Sequence, residues 1–192
     1  VLLGGRSNEK EISLDSGRNV VYKLSPQKYE VTPLFVSSTL ELYRLNAKLL
    51  VCNNTVEIER QVTPDLLVSW NDLPKIADFV FIGLHGGEGE NGAVQGTLEL
   101  LGMPYNGPSV LTSALCMNKY ETNQFLKAHG FAVPEGLLIE KSEWQSAQTV
   151  CVEKIVAALQ FPIIVKPHND GCSVGVGKIK NESELKSALD AF

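Results

Sequence analysis

The sequence predicts a fold of the α/β class, in which a larger α/β domain is followed by a smaller α+β domain. Strand-like and helical segments alternate in the first half, an order typical of βαβ units and a parallel sheet. Residues 78–84 (DFVFIGL) form a nearly continuous apolar run, as expected for a strand buried on both faces. Residues 161–180 predict two strands joined by a glycine-bearing turn. We place the domains at 1–107 and 108–192.

The chain begins with a predicted strand–helix–strand unit. Residues 1–3 are strand-like, and Asn8 and Glu11 have the spacing of a capping box, which predicts a helix to about Leu24. Residues 29–36 are predicted to form the second strand, and the proline within it favours an edge position.

Turn and helix-cap residues predict the bounds of further strands and helices. The Asn53-Asn54 pair predicts a hairpin between strands at 49–52 and 55–58. Asn181 and Glu184 predict a capped final helix, with Leu185, Ala188, Leu189 and Phe192 on one face. Further helices are predicted at 93–101, 109–117, 119–129 and 149–159, and strands at 103–106 and 133–139.

Composition argues against several classes of partner. The net charge is −5 and the pI about 5.3, whereas binding to nucleic-acid phosphates needs clustered excess base. No apolar run approaches the ~20 residues of a membrane span, and no secretion leader is visible. We therefore expect neither nucleic-acid nor membrane partners.

The cysteines indicate a reducing compartment. Cys52, Cys116, Cys151 and Cys172 form no CxxC pair, which argues against a zinc site or a disulfide framework. We expect a cytoplasmic protein. Because the chain starts within a strand and without methionine, we also expect a piece of a longer protein.

A phosphate site is one interpretation of the 161–180 hairpin. Lys166 follows an apolar strand, and the glycines after it would let backbone N–H groups approach phosphate oxygens. Lys119, at a predicted helix start, would be a second cation for the same phosphates. The segment lacks the Walker A pattern, and an ordinary hairpin with a surface lysine remains the alternative.

Polar residues also follow the predicted parallel strands. Glu9 comes after the first strand, and His85 and Glu90 come after the apolar run, at the sheet edge where ligands bind. Glu9 could instead be a surface residue at a helix start. Gly87, Gly89 and Gly92 match the dinucleotide pattern, but no acidic ribose partner follows, so NAD binding is only a minor alternative.

Four stretches follow one another along the chain: GGRSNEKEISLDSG (Gly4–Gly17), LHGGEGENGAVQGTLELLGMPYNG (Leu84–Gly107), SALCMNKYETN (Ser113–Asn123) and FPIIVKPHNDGCSVGVGK (Phe161–Lys178). Taken together, these stretches resemble the D-alanine–D-alanine ligases of the ATP-grasp superfamily. The resemblance implies a Rossmann-like N-terminal domain followed by the first, incomplete ATP-grasp subdomain.

The resemblance implies ATP-dependent joining of two D-alanines through an acyl phosphate, for peptidoglycan precursors. Magnesium, or manganese, would be the metal, with its ligands beyond residue 192 and none in this chain. A homodimer is implied for the full-length protein. The family also includes ligases with other acceptors, such as D-lactate, and a non-catalytic nucleotide-binding module is a further alternative.

Site residues are implied in the same way. Lys119 and Lys166 match lysines that hold the ATP phosphates, Glu9 matches the glutamate that binds the first D-alanine's ammonium group, and His85 matches the histidine near the acyl phosphate. Glu90 would belong to the same substrate site. A flap over the phosphates would comprise Gly171, Cys172, Ser173, Val174 and Gly175.

The chain differs from the common family pattern at a few of these positions. Cys172 stands where the first of two flap serines is usual, the serine whose hydroxyl normally links to the position of Glu9; we count Cys172 with Glu9 and His85 as candidate catalytic residues. Asn91 and Asn118 stand at positions that are commonly acidic.

Overall fold

The computed structural model describes residues 1–171 and 175–192 and divides into two compact units, Val1–Ala114 and Leu115–Phe192. Helices and short strands mix in both units, which confirms the predicted α/β class. No helix in the described part of the chain is long and apolar enough to cross a membrane. The domain boundary predicted after residue 107 stays a prediction.

The first unit contains a sheet with helices around it. Its strands are β1 (Leu2–Gly4), β2 (Leu34–Val36), β3 (Leu42–Arg44) and β4 (Leu67–Val68). Its helices are α1 (Lys10–Lys23), α2 (Ala47–Leu50), α3 (Thr55–Glu59), α4 (Leu73–Ile76), α5 (Gly87–Glu90) and α6 (Ala93–Leu100), with short 3-10 helices at Pro64–Leu66 and Trp70–Asp72. Helix α7 (Val110–Met117) spans the division between the units.

The predicted strand–helix–strand unit is confirmed. Strands β1 and β2 pair in parallel, with Leu2 opposite Leu34, and α1 connects them. Helix α1 packs directly on β1, because Gly17 leaves room for the fully buried Leu3.

The apolar run at 78–84 lies beside β1 on the side opposite β2. It pairs only through isolated parallel bridges, Leu2 with Ile82 and Val80 with Tyr105, and not as a continuous strand. The predicted strand at 103–106 is likewise reduced to the bridge at Tyr105. Val80 and Ile82 are buried on one face, whereas on the other face Phe79 is half exposed and burial is reached only at Gly83, next to Gly17 of α1.

Two strand predictions in the first unit are wrong. The predicted strand at 29–36 is observed only as β2, which is interior rather than at an edge, since β3 pairs along its other side. The predicted hairpin at 49–58 consists of helices α2 and α3. Asn46 and Asn54 cap those helices by accepting hydrogen bonds from the backbone amides of Leu49 and Glu57.

The capping box predicted for α1 is also wrong. Helix α1 begins after Glu9, whose side chain makes no capping hydrogen bond. The Glu11 carboxylate instead accepts hydrogen bonds from the backbone N and the Oγ1 of Thr55, so it ties α1 to the start of α3.

The second unit contains the predicted hairpin. Strands β5 (Ile163–Val165) and β6 (Gly177–Ile179) pair antiparallel, and Gly175 precedes β6. The capped final helix is confirmed, but the predicted strand at 133–139 is not observed. The helices are α8 (Lys119–Ala128), α9 (Lys141–Ser146), α10 (Gln148–Ala158) and α11 (Glu182–Leu189).

A separate core supports this hairpin. Trp144, Ile155, Ile179 and Leu185 are buried together, so α9, α10 and α11 cover one face of the two strands. Phe192, predicted on the buried face of the last helix, lies beyond its end and is half exposed.

Candidate active site

Glu9 is a buried acid at the carboxyl end of β1. Its side chain is 5% exposed, and its Oε1 makes no hydrogen bond within the described residues. Gly86 lies against this carboxylate: a Cβ at Gly86, where φ is +63°, would be 3.3 Å from Glu9 Oε1. A carboxylate oxygen without a partner in such a place is poised for a cationic or hydrogen-donating ligand.

His85 follows the neighbouring parallel segment and lies next to the Glu9 loop. Ser7 joins them, because its hydroxyl donates to the carbonyl of His85 at 2.6 Å and accepts from the backbone N of Glu9 at 3.1 Å. The His85 ring bonds through Nε2 to the hydroxyl of Ser16, on α1, at 2.9 Å. The structure therefore brings Glu9 and His85 to the same edge of the sheet, as the sequence predicts.

Glu90, predicted at the same site, is exposed at the end of α5 and forms no hydrogen bond or ion pair within the described residues. Glu88 instead links the loops: its carboxylate accepts from Nε of Arg6 at 2.7 Å and forms an ion pair with the same guanidinium. Sequence reasoning missed this pair, since 82 residues separate its members.

A buried glutamine supports the glycine-rich loop after His85. Gln95, on α6, donates from Nε2 to the carbonyl of Gly89 at 2.7 Å. The loop's glycines thus belong to a packed turn, and their dinucleotide-like spacing has a structural explanation.

In the second unit, Lys119 is fastened to the loop that follows β5. Its backbone N donates to the carbonyl of His168 at 2.9 Å, and its Nζ donates to the carbonyl of Asp170. The adjacent backbone N of Gly171 donates to Oδ1 of Asp170 at 2.8 Å. The helix thus places its first lysine against the start of the predicted flap.

Lys119 and Lys166 line one groove of about 950 Å³, a size typical of small-molecule sites. Apolar residues such as Ile139, Ile163 and Val165 form much of the remaining wall. Neither lysine forms an ion pair with a carboxylate among the residues that the structure describes. The groove therefore combines an apolar wall with two lysines that form no ion pair in the described residues, which suits a nucleotide.

The centre of the predicted flap cannot be placed in this site. Cys172, Ser173 and Val174 lie outside the described residues, whereas Gly171 and Gly175 flank them. No group of three or more metal-ligating side chains occurs in residues 1–171 and 175–192.

The two asparagines at commonly acidic positions both accept hydrogen bonds from backbone amides at a helix start, Asn118 as the N-cap of α8 and Asn91 from the residue before the N-cap of α6. Asn118 accepts hydrogen bonds from the backbone amides of Tyr120 and Glu121 at the start of α8. Asn91 accepts from the backbone N of Ala93 at the start of α6. Asparagine and aspartate serve this purpose about equally well, so these exchanges keep the local structure.

Comparison with known proteins gives matches along nearly the whole chain. Residues 1–108 match the family described as D-ala D-ala ligase N-terminus, and residues 125–192 match that described as D-ala D-ala ligase C-terminus. The D-alanine--D-alanine ligase of Natranaerobius thermophilus is 36% identical over an alignment of 200 positions that covers 99% of this chain and 55% of that protein. The enzyme of the same name from Streptococcus equi subsp. zooepidemicus is 34% identical, over 98% of this chain and 54% of that protein.

The solved structures that resemble this chain include ligases of the same kind. The D-alanine-D-alanine ligase from Coxiella burnetii superposes with a TM-score of 0.78 at 29% identity, covering 98% of this chain and 58% of that one. The VanG D-Ala:D-Ser ligase from Enterococcus faecalis gives a TM-score of 0.77 at 29% identity, over 98% of this chain and 57% of that one. These neighbours are ATP-grasp enzymes, which confirms the predicted fold, and the chain spans somewhat more than half their length.

Proposed function

Since this chain belongs to the D-alanine–D-alanine ligase family, we propose that the whole protein joins two D-alanine molecules at the expense of ATP. The observation that carries this proposal is the buried Glu9 carboxylate, whose Oε1 has no partner among the described residues. A site for an amino acid needs such a group, because the substrate's ammonium must exchange its hydration for fixed acceptors.

Glu9 would bind the ammonium group of the first D-alanine. Its charge and its burial suit a small cation, and Gly86 keeps the space beside Oε1 free of a side chain. His85 lies on the adjacent loop and would face the carboxyl end of the same substrate. Its imidazole would stabilise the charge that develops as that carboxylate is phosphorylated and then attacked.

Lys119 and Lys166 would bind the ATP phosphates. Two lysines in one groove would provide the positioning and charge stabilisation on which phosphoryl transfer depends. When bound, ATP would supply the phosphoryl group and Mg²⁺ would neutralise part of its charge. In this proposal the metal ligands come from the part of the relatives that this chain does not cover.

The proposed reaction consists of two displacement steps. A carboxylate oxygen of the first D-alanine bonds to the γ-phosphorus as the bond from that phosphorus to ADP breaks. The amine of the second D-alanine then attacks the carbonyl carbon, phosphate leaves, and the amine loses a proton. The role of the flap at 171–175 would be to exclude water, which would otherwise hydrolyse the acyl phosphate.

Family membership also supports the cellular context that the sequence suggests. We propose a cytoplasmic homodimer that supplies D-alanyl-D-alanine for peptidoglycan precursors, with ATP and Mg²⁺ as cofactors. The relatives' shared name disfavours both a D-lactate acceptor and a non-catalytic module.

The test is phosphate release by the full-length protein with ATP, Mg²⁺ and D-alanine. Glu9→Gln should raise the KM for the first D-alanine about tenfold or more and leave the KM for ATP unchanged, since it removes one charged hydrogen bond. Lys166→Gln should raise the KM for ATP and leave the KM for the first D-alanine unchanged. Exposed Glu30→Gln and Lys186→Gln are matched controls, since neither side chain lines the groove or forms an ion pair in the described part of the chain.

Acceptor choice is tested in the same assay. D-serine and D-lactate are offered against D-alanine, because one structural neighbour is a D-Ala:D-Ser ligase. Product formation with D-serine or D-lactate alone would change the proposed acceptor. Nucleotide binding without phosphate release, whatever the acceptor, would support the non-catalytic alternative.

A further inference from the structure

We propose that Ser16 is a positioning residue that holds His85 through Nε2 and leaves Nδ1 as the ring nitrogen available to the reacting groups. This inference rests on the proposed function for its catalytic meaning. The contact itself, a bond of 2.9 Å between Ser16 Oγ and His85 Nε2, can be tested without activity.

Ser16 is itself fixed by tight packing. The next residue, Gly17, has no room for even a Cβ, which would lie 2.4 Å from Leu3 Cβ. One turn earlier, Ser13 accepts from the backbone N of Gly4 at 3.0 Å and donates to the carbonyl of Gly83 at 3.0 Å. Helix α1 is therefore locked to both neighbouring strand ends, and the Ser16 hydroxyl has a defined position.

The backbone of His85 is fixed by a different contact. The Ser7 hydroxyl donates to the His85 carbonyl, which holds the main chain but leaves the ring free to rotate about its side-chain bonds. Ser16 removes that freedom. Nδ1 makes no hydrogen bond within the described residues. In this proposal Nε2 anchors the ring to Ser16, and Nδ1 takes part in the chemistry.

A hydroxyl is well suited to this task because it can donate or accept. With neutral imidazole, Ser16 can donate to an unprotonated Nε2; with imidazolium, the Nε2–H donates to the serine oxygen. The ring can therefore change its protonation state without turning. An alanine would leave the ring unanchored, whereas a threonine would retain the hydroxyl.

The contact is tested by ¹⁵N NMR of the histidines in this chain, which contains only three. Ser16→Ala should change the His85 imidazole shifts and the tautomer balance, and Ser16→Thr should restore them. Asn19→Ala, an exposed change on the same helix, is the control and should leave them unchanged. Identical His85 spectra in the wild type and Ser16→Ala would overturn the proposal.

The catalytic consequence is tested in the full-length protein. Ser16→Ala should lower kcat about tenfold or more, in the lower range of acid–base effects, with the KM for ATP within about twofold. It should also shift the pH profile of kcat, with Ser16→Thr recovering most of the rate. A loss of thermal stability with an unmoved pH profile would show a purely structural serine and overturn the proposal.

Failure of this inference is distinguishable from failure of the proposed function. If the wild-type protein joins no amino acids, the ligase proposal fails, whereas the NMR comparison still decides whether Ser16 anchors His85. If Ser16→Ala does not fold, the wild-type spectrum and Ser16→Thr decide: a His85 whose Nε2 shows no hydrogen bond in the wild type overturns the proposal.

Discussion

Asn118 shows how a single residue can depart from a family pattern and keep its structural role. Its side chain caps α8 at the backbone amides of Tyr120 and Glu121, directly before Lys119. Loss of such a cap costs about 1 kcal/mol, whereas asparagine and aspartate are about equal. Asparagine in place of the usual acidic residue at position 118 therefore preserves the start of α8, and it is not evidence that the site has lost its function.

We expect Asn118→Asp to leave the free energy of unfolding within about 0.5 kcal/mol of the wild type, and Asn118→Ala to lower it by about 1 kcal/mol. Urea unfolding of the chain checks both. Because the cap sets the position of Lys119, Asn118→Ala should also weaken ATP binding in the full-length protein. An alanine variant with unchanged stability would contradict the capping role.

The Arg6–Glu88 pair gives the loops around Glu9 a pH dependence. Partial burial raises the pKa of the Glu88 carboxyl, but hydrogen bonds from Arg6 and from its own backbone, with the charge of Arg6, outweigh this and lower the pKa overall. A carboxyl whose pKa is lower in the folded state contributes stability above its unfolded pKa. That contribution is lost as the pH falls through the folded pKa.

Arg6→Gln should therefore lower the free energy of unfolding at pH 7 by less than about 1 kcal/mol, since the pair is partly exposed. The difference from the wild type should shrink as the pH falls through the lowered pKa of folded Glu88, because below that pKa Glu88 is protonated in both the folded and the unfolded state. Urea unfolding across this range measures it. Lys10→Gln is the control, and a difference that grows towards low pH would contradict the assignment.

At the scale of elements, local signals predicted helices better than strands. Helices α6, α8, α10 and α11 lie close to their predicted bounds, because apolar periodicity and caps are encoded within each segment. Strand limits depend on distant partners. Tyr29 and Val31 are residue types that favour strands, but no neighbouring strand pairs with residues 29–31. Asn54 is an ambiguous signal, because asparagine is favoured both in hairpin turns and at helix caps.

The candidate active site, too, could be predicted from the sequence only in part. The positions of Glu9 and His85 at neighbouring strand ends follow from the parallel order of the chain, and the structure has them there; their roles stay predictions. Ser16 could not be found in this way, because a serine inside a helix carries no signal of its partner. Its contact with His85 joins residues 69 apart in sequence.

The packing of α1 on β1 makes a sharp prediction at this scale. Alanine is favoured over glycine inside a helix by about 1 kcal/mol. At Gly17, however, the new Cβ would lie 2.4 Å from Leu3 Cβ and 3.0 Å from Leu3 Cδ2, in a fully buried contact. Gly17→Ala should therefore destabilise the protein, by about 1–3 kcal/mol as an overpacked core.

Gly96→Ala in α6 is the matched control. Its nearest contact would be Val110 Cγ2 at 3.8 Å, an ordinary van der Waals distance, so the helix preference should prevail. In urea unfolding, we expect Gly17→Ala to lower the free energy of unfolding and Gly96→Ala to raise it by up to about 1 kcal/mol. A stabilising Gly17→Ala would contradict the close packing of α1 on β1.

At the scale of the whole molecule, the candidate residues divide between two units, each with its own buried core. The first holds the carboxylate and imidazole proposed to bind an amino acid, and the second holds the lysines proposed to bind phosphates. The relatives extend well beyond the region matched here, and this chain covers about 55% of their length. The metal ligands and the second amino-acid site are, in our proposal, in that further region.

A protein consisting of residues 1–192 should therefore form no D-alanyl-D-alanine from ATP and D-alanine, whereas the full-length protein should. Phosphoryl transfer depends on metal ions that neutralise the transferring group, and two lysines alone lack that contribution. Phosphate release by both proteins, at equal concentration and with saturating Mg²⁺, measures the difference. Circular dichroism of the 1–192 protein is the control, because inactivity is informative only if the chain is folded. Turnover by residues 1–192 at a rate near that of the full-length protein would show that residues 1–192 already contain the complete catalytic site.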